Sequence, residues 1–295
     1  MFFDFGVRLH AKSLRLRLQK ARSRLLRRLF ETPTGRRFII ESMSPRVVSM
    51  TVDAGDHHLT FSPHDYIGRK VFRKSHFDRD KVNRLLSIMR ERNLLRADGV
   101  LLELGANIGT QSLYFALSRS FKTIVSVEPD PRNFKLLSVN INQNNLGERI
   151  KAFNVAVGES EGKIDFYMNG KNHGKSSAIR QSASDAKIQV DVKPAPAILQ
   201  EAGVSTEEIS LIWMDIEGYE PVASRSMIEL LARRTPFYME FSPVFYGEEG
   251  TRRFTGELSE HYENCIAFFE DDGERFLKVR DLPTTLPQYD ILLLP

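Results

Sequence analysis

Cysteine is almost missing from this chain of 295 residues, and its one copy, Cys265, has no internal partner for a disulfide. Also missing is any apolar run of about 18 to 20 residues, the length a helix needs to cross a bilayer. The N-terminus has neither the apolar core nor the small-residue cleavage site of a secretory signal. These absences together predict a reducing, cytoplasmic setting. Histidine pairs at metal-ligand spacing are absent as well. His10, His57, His58, His64, His76 and His261 are scattered, and the adjacent His57 and His58 would point to opposite sides of a strand. No metal is expected.

What charge there is lies unevenly. The formal net charge is +4, yet residues 1 to 40 carry eleven Lys/Arg against Asp4 and Glu31, so the rest of the chain is net acidic. The basic character belongs to an arm rather than to a nucleic-acid footprint on the core. In that arm Val7, Ala11, Leu14, Leu18, Ala21, Leu25 and Leu29 recur at spacings of three and four among arginines and lysines, which predicts an amphipathic helix. Pro33 and Gly35 close it. Such a helix packs on its own domain or a partner, lies through residues 7–29 on an anionic membrane surface, or meets nucleic acid.

The length and a hydrophobic content of 41% suffice for one α/β core with appendages. The expected division is a basic helical arm over 1–36, an extension over 37–97, and a catalytic domain over 98–295. In the extension, residues 47–61 read as a β-hairpin around Ala54-Gly55-Asp56. Residues 78–96 read as a helix with Asp78 as N-cap and an apolar stripe of Val82, Leu85, Leu86 and Met89. From Val100 onward apolar runs alternate with helical stretches, the signature of a parallel sheet covered on both faces. Strands are expected at 100–104, 123–128, 151–157, 210–215, 236–241, 264–270 and 289–294. Helices are expected at 110–118, 131–145, 195–202, 220–232 and 251–262. The last two strands, joined through Asp271-Asp272-Gly273 rather than by a helix, imply an antiparallel final strand. The fold class is therefore α/β, a Rossmann-like seven-stranded sheet with an antiparallel last strand.

The first of these strands ends in Glu103-Leu104-Gly105-Ala106-Asn107-Ile108-Gly109 and runs at once into a helix. A glycine-rich strand-to-helix turn lets a ligand approach the backbone and meet the free N–H groups of the helix start. Asn107 and Thr110 stand where a dinucleotide fingerprint needs small residues, which argues against NAD. The second strand ends in Val127-Glu128-Pro129-Asp130, where a carboxylate can accept both hydroxyl protons of a ribose.

These motifs resemble the FkbM family of methyltransferases over roughly residues 98 to 243. The matching pieces are the run from Leu101 to Gly109, Ser126 to Asn133, Asn154 to Gly158, the Asn172-His173-Gly174 loop, and Leu211 to Glu220. The resemblance implies S-adenosylmethionine as methyl donor and a hydroxyl acceptor on a sugar, glycolipid or other small molecule. It implies a donor site built from Glu103, Gly105, Asn107, Gly109, Glu128, Pro129, Asn154, Ala156 and Asp215, with Glu103 near the amino group of the methionine end. Two departures stand out. The Leu-Asp pair usual between the third and fourth strands is replaced by the stretch from Val192 to Ala197, which holds no acid, and Met214 precedes Asp215 where Lys is common.

Methyl transfer to an alcohol needs the acceptor oxygen held near the methyl carbon and its proton removed by a base. Asp215 is the leading candidate, at the end of the fourth strand on the ligand-binding edge of an open sheet. Glu217 lies in the same loop, and either acid alternatively caps the helix that starts near Glu220. His173, in the loop expected to overhang the cleft, is the third candidate. The alternatives to a small-molecule enzyme are an RNA methyltransferase guided by the basic arm and a binding module that kept the fold without catalysis.

Overall fold

The computed structural model describes residues 3–269 and 273–295, with side-chain surroundings from residue 15 onward. The chain opens with a long helix, α1 (Phe3–Phe30), and a short one, α2 (Pro33–Glu41), whose first turn is capped by the Thr32 hydroxyl accepting from the Gly35 amide at 3.1 Å. Pro33 thus ends one helix and also opens another, its fixed φ suiting the first helical position. The expected boundary at residue 36 falls inside α2. Residues 15–29 are exposed on every side, so over that span α1 does not pack on the domain. Val7, Ala11 and Leu14 carry side chains outside the described residues. Among the described residues no helix is long and apolar enough to cross a membrane.

The extension continues with the hairpin β1 (Met50–Asp53) and β2 (His58–Phe61), then α3 (Tyr66–Lys74) and α4 (Arg79–Glu91). Helix α3, absent from the expected elements, is capped by Asp65 accepting from the Ile67 and Gly68 amides at 3.0 and 3.4 Å. Asp78 stands at the N-cap of α4 as expected, but its side chain does not cap the helix. It sits at φ 56° with no side-chain bond to the helix, leaving its carboxyl free to face elsewhere. The extension is not an appendage, because Leu59, Phe61, Val71, Leu85 and Met89 share one buried cluster with Leu101, Leu113 and Trp213 of the core.

The core runs β3 (Val100–Leu104), α5 (Thr110–Ser118), β4 (Thr123–Val127), α6 (Pro131–Gln143), β5 (Ile150–Phe153), β6 (Ala156–Val157), β7 (Gly162–Met168), β8 (Ala186–Lys193), α7 (Ala195–Glu201), β9 (Ile209–Met214), α8 (Glu220–Arg225), α9 (Ile228–Ala232), β10 (Phe237–Phe241), α10 (Pro243–Ser259), β11 (Asn264–Phe269), β12 (Gly273–Lys278) and β13 (Tyr289–Leu293). The main sheet has the order β12-β11-β13-β10-β9-β3-β4-β5. Strands β3, β4, β5, β9 and β10 are mutually parallel, and β13 is antiparallel to both β10 and β11. Every residue of β3 and β9 is buried, as central parallel strands covered on both faces require. The alternation of side chains splits the apolar core into two layers, one under α7 to α10 and one under α4 to α6. Trp213 stacks on Tyr238 at 4.4 Å between ring centroids within the second layer.

The antiparallel last strand is where the sequence placed it, but the connection differs. An eighth strand, β12, follows β11 as an edge hairpin, and β13 is reached only through residues 279–288. Asp271 and Asp272 of the expected turn lie outside the described residues. The predicted helix over 220–232 is two short helices, and α10 begins at Pro243 with a kink at Gly247. A second, three-stranded sheet, β6-β8-β7, was not foreseen. Its signal is the period-two alternation of Ile164, Phe166 and Met168 and of Ile188, Val190 and Val192, which form its apolar face. The loop between β7 and β8 carries His173.

Candidate functional site

The carboxyl ends of β3, β4, β9 and β10 open onto a cavity of about 500 Å³, closed from the extension by Tyr66, Ile67, Phe77 and Asp78 and from the second sheet by residues 172–176. Gly105, at φ 88°, forms its floor. A Cβ there would stand 1.8 Å from the Asp215 carbonyl oxygen, so the close approach of the β3 and β9 ends itself demands glycine. The amides of Gly105 and Ala106 both donate to the Val127 carbonyl, at 2.9 and 3.0 Å, tying the turn to β4.

Glu128 is held chiefly by backbone, with the Asn133 side chain also bonding to it. Its carboxylate accepts from the Asn107 amide at 2.7 Å and the Asp130 amide at 2.8 Å. Burial, aided by the neighbouring Asp130, pushes its carboxyl up to about 8. Asn154 lies behind it, its side-chain amide donating to the Glu128 and Pro129 carbonyls. Asn133, from the first turn of α6, lines the same wall, and its Oδ1 is buried with no hydrogen-bond partner in the protein. Ala156 lies in a narrow apolar slot that shares Gly105, Pro129, Phe166 and Ile216 with the cavity.

Two expected members of the donor site sit behind the wall. Glu103 does not face the cavity. It shares its face of β3 with Leu101 and accepts from the Ser112 and Ser126 hydroxyls at 2.5 and 2.6 Å, where full burial pushes it up to about 7. Gly109 starts α5, and a Cβ there would come 2.6 Å from Leu137 Cδ1, so it serves helix packing. Of the remaining members, Gly105, Asn107, Glu128, Pro129 and Asp215 line the cavity itself, Ala156 lines the adjoining slot, and Asn154 lines neither.

At the other end, the register that pairs Met214 with Met239 sets Asp215 beside Glu240, one residue further along each parallel strand. Asp215, Glu217 and Glu240 offer carboxylate oxygens all within 4.8 Å of one another. That is close enough to share one cation, a grouping that a search for histidine spacing does not see. Burial raises all three carboxyls, and mutual repulsion raises Glu240 further and brings Glu217 to about 8. Against them stands Lys81 of α4, paired at 2.8 Å with Asp290, the cross-strand partner of Glu240. Its charge favours the ionised form of Asp215.

Neither Asp215 nor Glu217 caps the following helix. That helix has no side-chain cap, and Glu220 in its first turn reaches back to the loop, its carboxyl accepting from the Gly218 amide at 3.1 Å and the Tyr246 hydroxyl at 2.6 Å. Glu217 sits at φ 54°, with its carbonyl held by the Ser177 hydroxyl. His173 lines the cavity in a single 3₁₀ turn, its amide donating to Asp65 at 2.6 Å. Burial depresses its imidazole, which favours the neutral ring. Asp78, Glu240 and Lys81 were missed from sequence. The one available signal was Glu240 itself, an acid inside the apolar run Phe237-Tyr-Met-Glu-Phe241.

The chain is similar to the 2-O-methyltransferase NoeI of Sinorhizobium fredii (strain NBRC 101917 / NGR234), 31% identical over 166 residues, which are 50% of this chain and 65% of that protein. The match therefore spans just under two thirds of the relative. Among solved structures, the methyltransferase FkbM from Methylobacillus flagellatus KT aligns at 16% identity over 68% of this chain and 45% of its own, with a TM-score of 0.44. An O-methyltransferase from Bacillus cereus in complex with SAH aligns at 13% identity over 79% of this chain and 98% of its own, with a TM-score of 0.39. The model of the methyltransferase FkbM domain matches residues 103–278, more than half of the chain and every strand end that forms the cavity, and the chain is accordingly a member of the FkbM methyltransferase family.

Proposed function

We propose that the chain is an S-adenosylmethionine-dependent O-methyltransferase, acting in the cytoplasm on a hydroxyl of a sugar, glycolipid or other small molecule. The observation that carries this is one cavity with two unlike ends, a glycine turn with a backbone-held carboxylate at one and a group of half-buried carboxylates at the other. The name of the 2-O-methyltransferase relative supports oxygen as the acceptor atom.

The residues present fit the donor. Glu128 faces the cavity as a hydroxyl acceptor, the orphaned Asn133 Oδ1 awaits a proton donor, and the apolar slot at Ala156 suits a flat ring. When bound, the donor supplies a methyl group made electrophilic by a positive sulfur. Gly105 and Asn107 shape the backbone beneath it, and Tyr66, Phe77 and the His173 loop exclude water from the pair. Asp215, with Glu240 beside it, takes the acceptor hydroxyl's proton as the oxygen bonds to the methyl carbon and the carbon–sulfur bond breaks. The proton lost by the alcohol would rest on the carboxylate pair. Asp78, Asp215, Glu217 and Glu240 make this end hostile to a polyanion, which disfavours RNA as the acceptor.

Calorimetric titration with S-adenosylmethionine, followed by transfer of a labelled methyl group into a cell extract and identification of the product, tests the reading. Donor binding with label entering an alkali-stable ether is the expected result. Absence of donor binding to the folded protein would overturn it. Chelation should leave turnover intact, whereas loss with EDTA and recovery with Mg²⁺ would reassign the carboxylate trio from proton acceptor to cation holder.

A further inference from the structure

From the exposed portion of α1 we infer an interaction surface for an anionic lipid bilayer, on which the helix lies flat with its leucine stripe inserted. At 100° per residue Leu18, Ala21, Leu25 and Leu29 share a sector about 80° wide. In the structure Leu18, Leu25 and Leu29 are 62%, 70% and 57% exposed, touching no other part of the chain closely enough to be covered. Arg15 and Arg22 border the stripe on one side, and Arg17, Arg24 and Arg28 border it on the other. Residues 15–30 hold seven lysines and arginines and no acid. An apolar stripe between two rows of long cationic side chains matches the layering of a membrane surface, with acyl chains below and anionic headgroups at the level of the guanidinium groups.

Other occupants fit less well. A second copy of α1 paired along the stripe would bring Arg17, Arg22 and Arg24 against their like-charged equivalents, at the positions where coiled coils place complementary charges. Nucleic acid would neutralise the arginines but leave the leucines in water. The helix cannot cross the bilayer, since cations interrupt it throughout. Membrane contact of this kind is independent of methyl transfer, because no residue of the cavity takes part in it.

The test uses the full chain and vesicles of phosphatidylcholine, either alone or with about a third phosphatidylglycerol, in about 0.1 M salt, where the screening length is about 10 Å. Cosedimentation is expected with the anionic vesicles and not the neutral ones, weakening steeply as salt rises. Leu18→Ser combined with Leu25→Ser keeps every charge and should reduce binding at least tenfold. Arg17→Glu combined with Arg24→Glu should abolish it. Because these side chains are exposed, circular dichroism and the melting temperature should not change. Equal binding to neutral vesicles, undiminished binding by the leucine variant, or no vesicle binding alongside a leucine-dependent dimer or complex with an acidic protein would each overturn the inference.

Discussion

The two ends of the cavity are built in opposite ways. At the β3 and β4 end a single carboxylate, Glu128, is surrounded by backbone donors from its own loop and the neighbouring turn, so its place follows from local geometry. At the β9 and β10 end Asp215 and Glu240 stand face to face, Glu217 is beside them with Lys175 set against it, and the cation set against the pair, Lys81, comes from an extension about 130 residues earlier in the chain. The first arrangement suits holding a ligand. The second raises the proton affinity of its members and moderates it with a lysine, which suits moving a proton at neutral pH.

If this division of labour holds, the largest effect belongs to Asp215→Asn. The exchange keeps shape and removes the proton acceptor, so turnover should fall by about two to four decades while calorimetric donor affinity stays within a factor of a few. Equal losses in binding and turnover would erase the distinction between the two ends.

Lys81→Met comes next. Removing the positive charge raises the proton affinity of the carboxyls it faces, so a rate that needs them ionised should drop at pH 7 and recover as pH rises. The drop is roughly tenfold for every tenfold gain in that affinity. The acidic limb of the pH–rate profile should move to higher pH, and Lys81→Arg should restore it. A profile that drops in height without moving would make Lys81 merely structural through its pair with Asp290.

Glu128→Ala should act on the other end alone. Losing the charged acceptor of two hydroxyls costs about 1.5 to 3 kcal/mol of donor affinity, read by titration, while turnover at saturating donor stays near normal. Unchanged affinity would remove Glu128 from the donor site.

The smallest effect joins both ends. Glu103, Glu128, Glu217 and Glu220 are all raised by burial, to about 7 or 8. Between the ordinary glutamate value and those raised values the folded protein binds more protons than the unfolded chain, so stability must fall as pH rises through that window. The melting temperature of the ligand-free protein should be highest near pH 5 and decline toward pH 8. A net change of about 1 kcal/mol corresponds to roughly 2 to 4 °C for a domain of this size. A melting temperature that climbs over the same range would show that these carboxyls are ionised in the fold and that the cavity is wetter than its geometry indicates.

The sequence by itself determined the parts that are local. A strand, a glycine turn and a helix start are written in consecutive residues, and so are the acid that ends the next strand and the apolar run of the antiparallel last strand. Gly105, Asn107, Glu128 and Pro129 were therefore legible before any coordinates, as was the position of Asp215 at a strand end. Even there, side-chain direction decided more than position. Glu103 occupies the end of the first strand as expected, yet the two-residue period of the strand turns it toward α5 and away from the cavity. Only the tertiary structure decided the opposite end, because it depends on which strands lie side by side and in what register. Pairing Met214 with Met239 makes neighbours of Asp215 and Glu240, and packing α4 across the sheet brings Lys81 to them. No pattern within a window of sequence records a contact between residues so far apart, since the charge of each is set by partners that only the closed fold assembles.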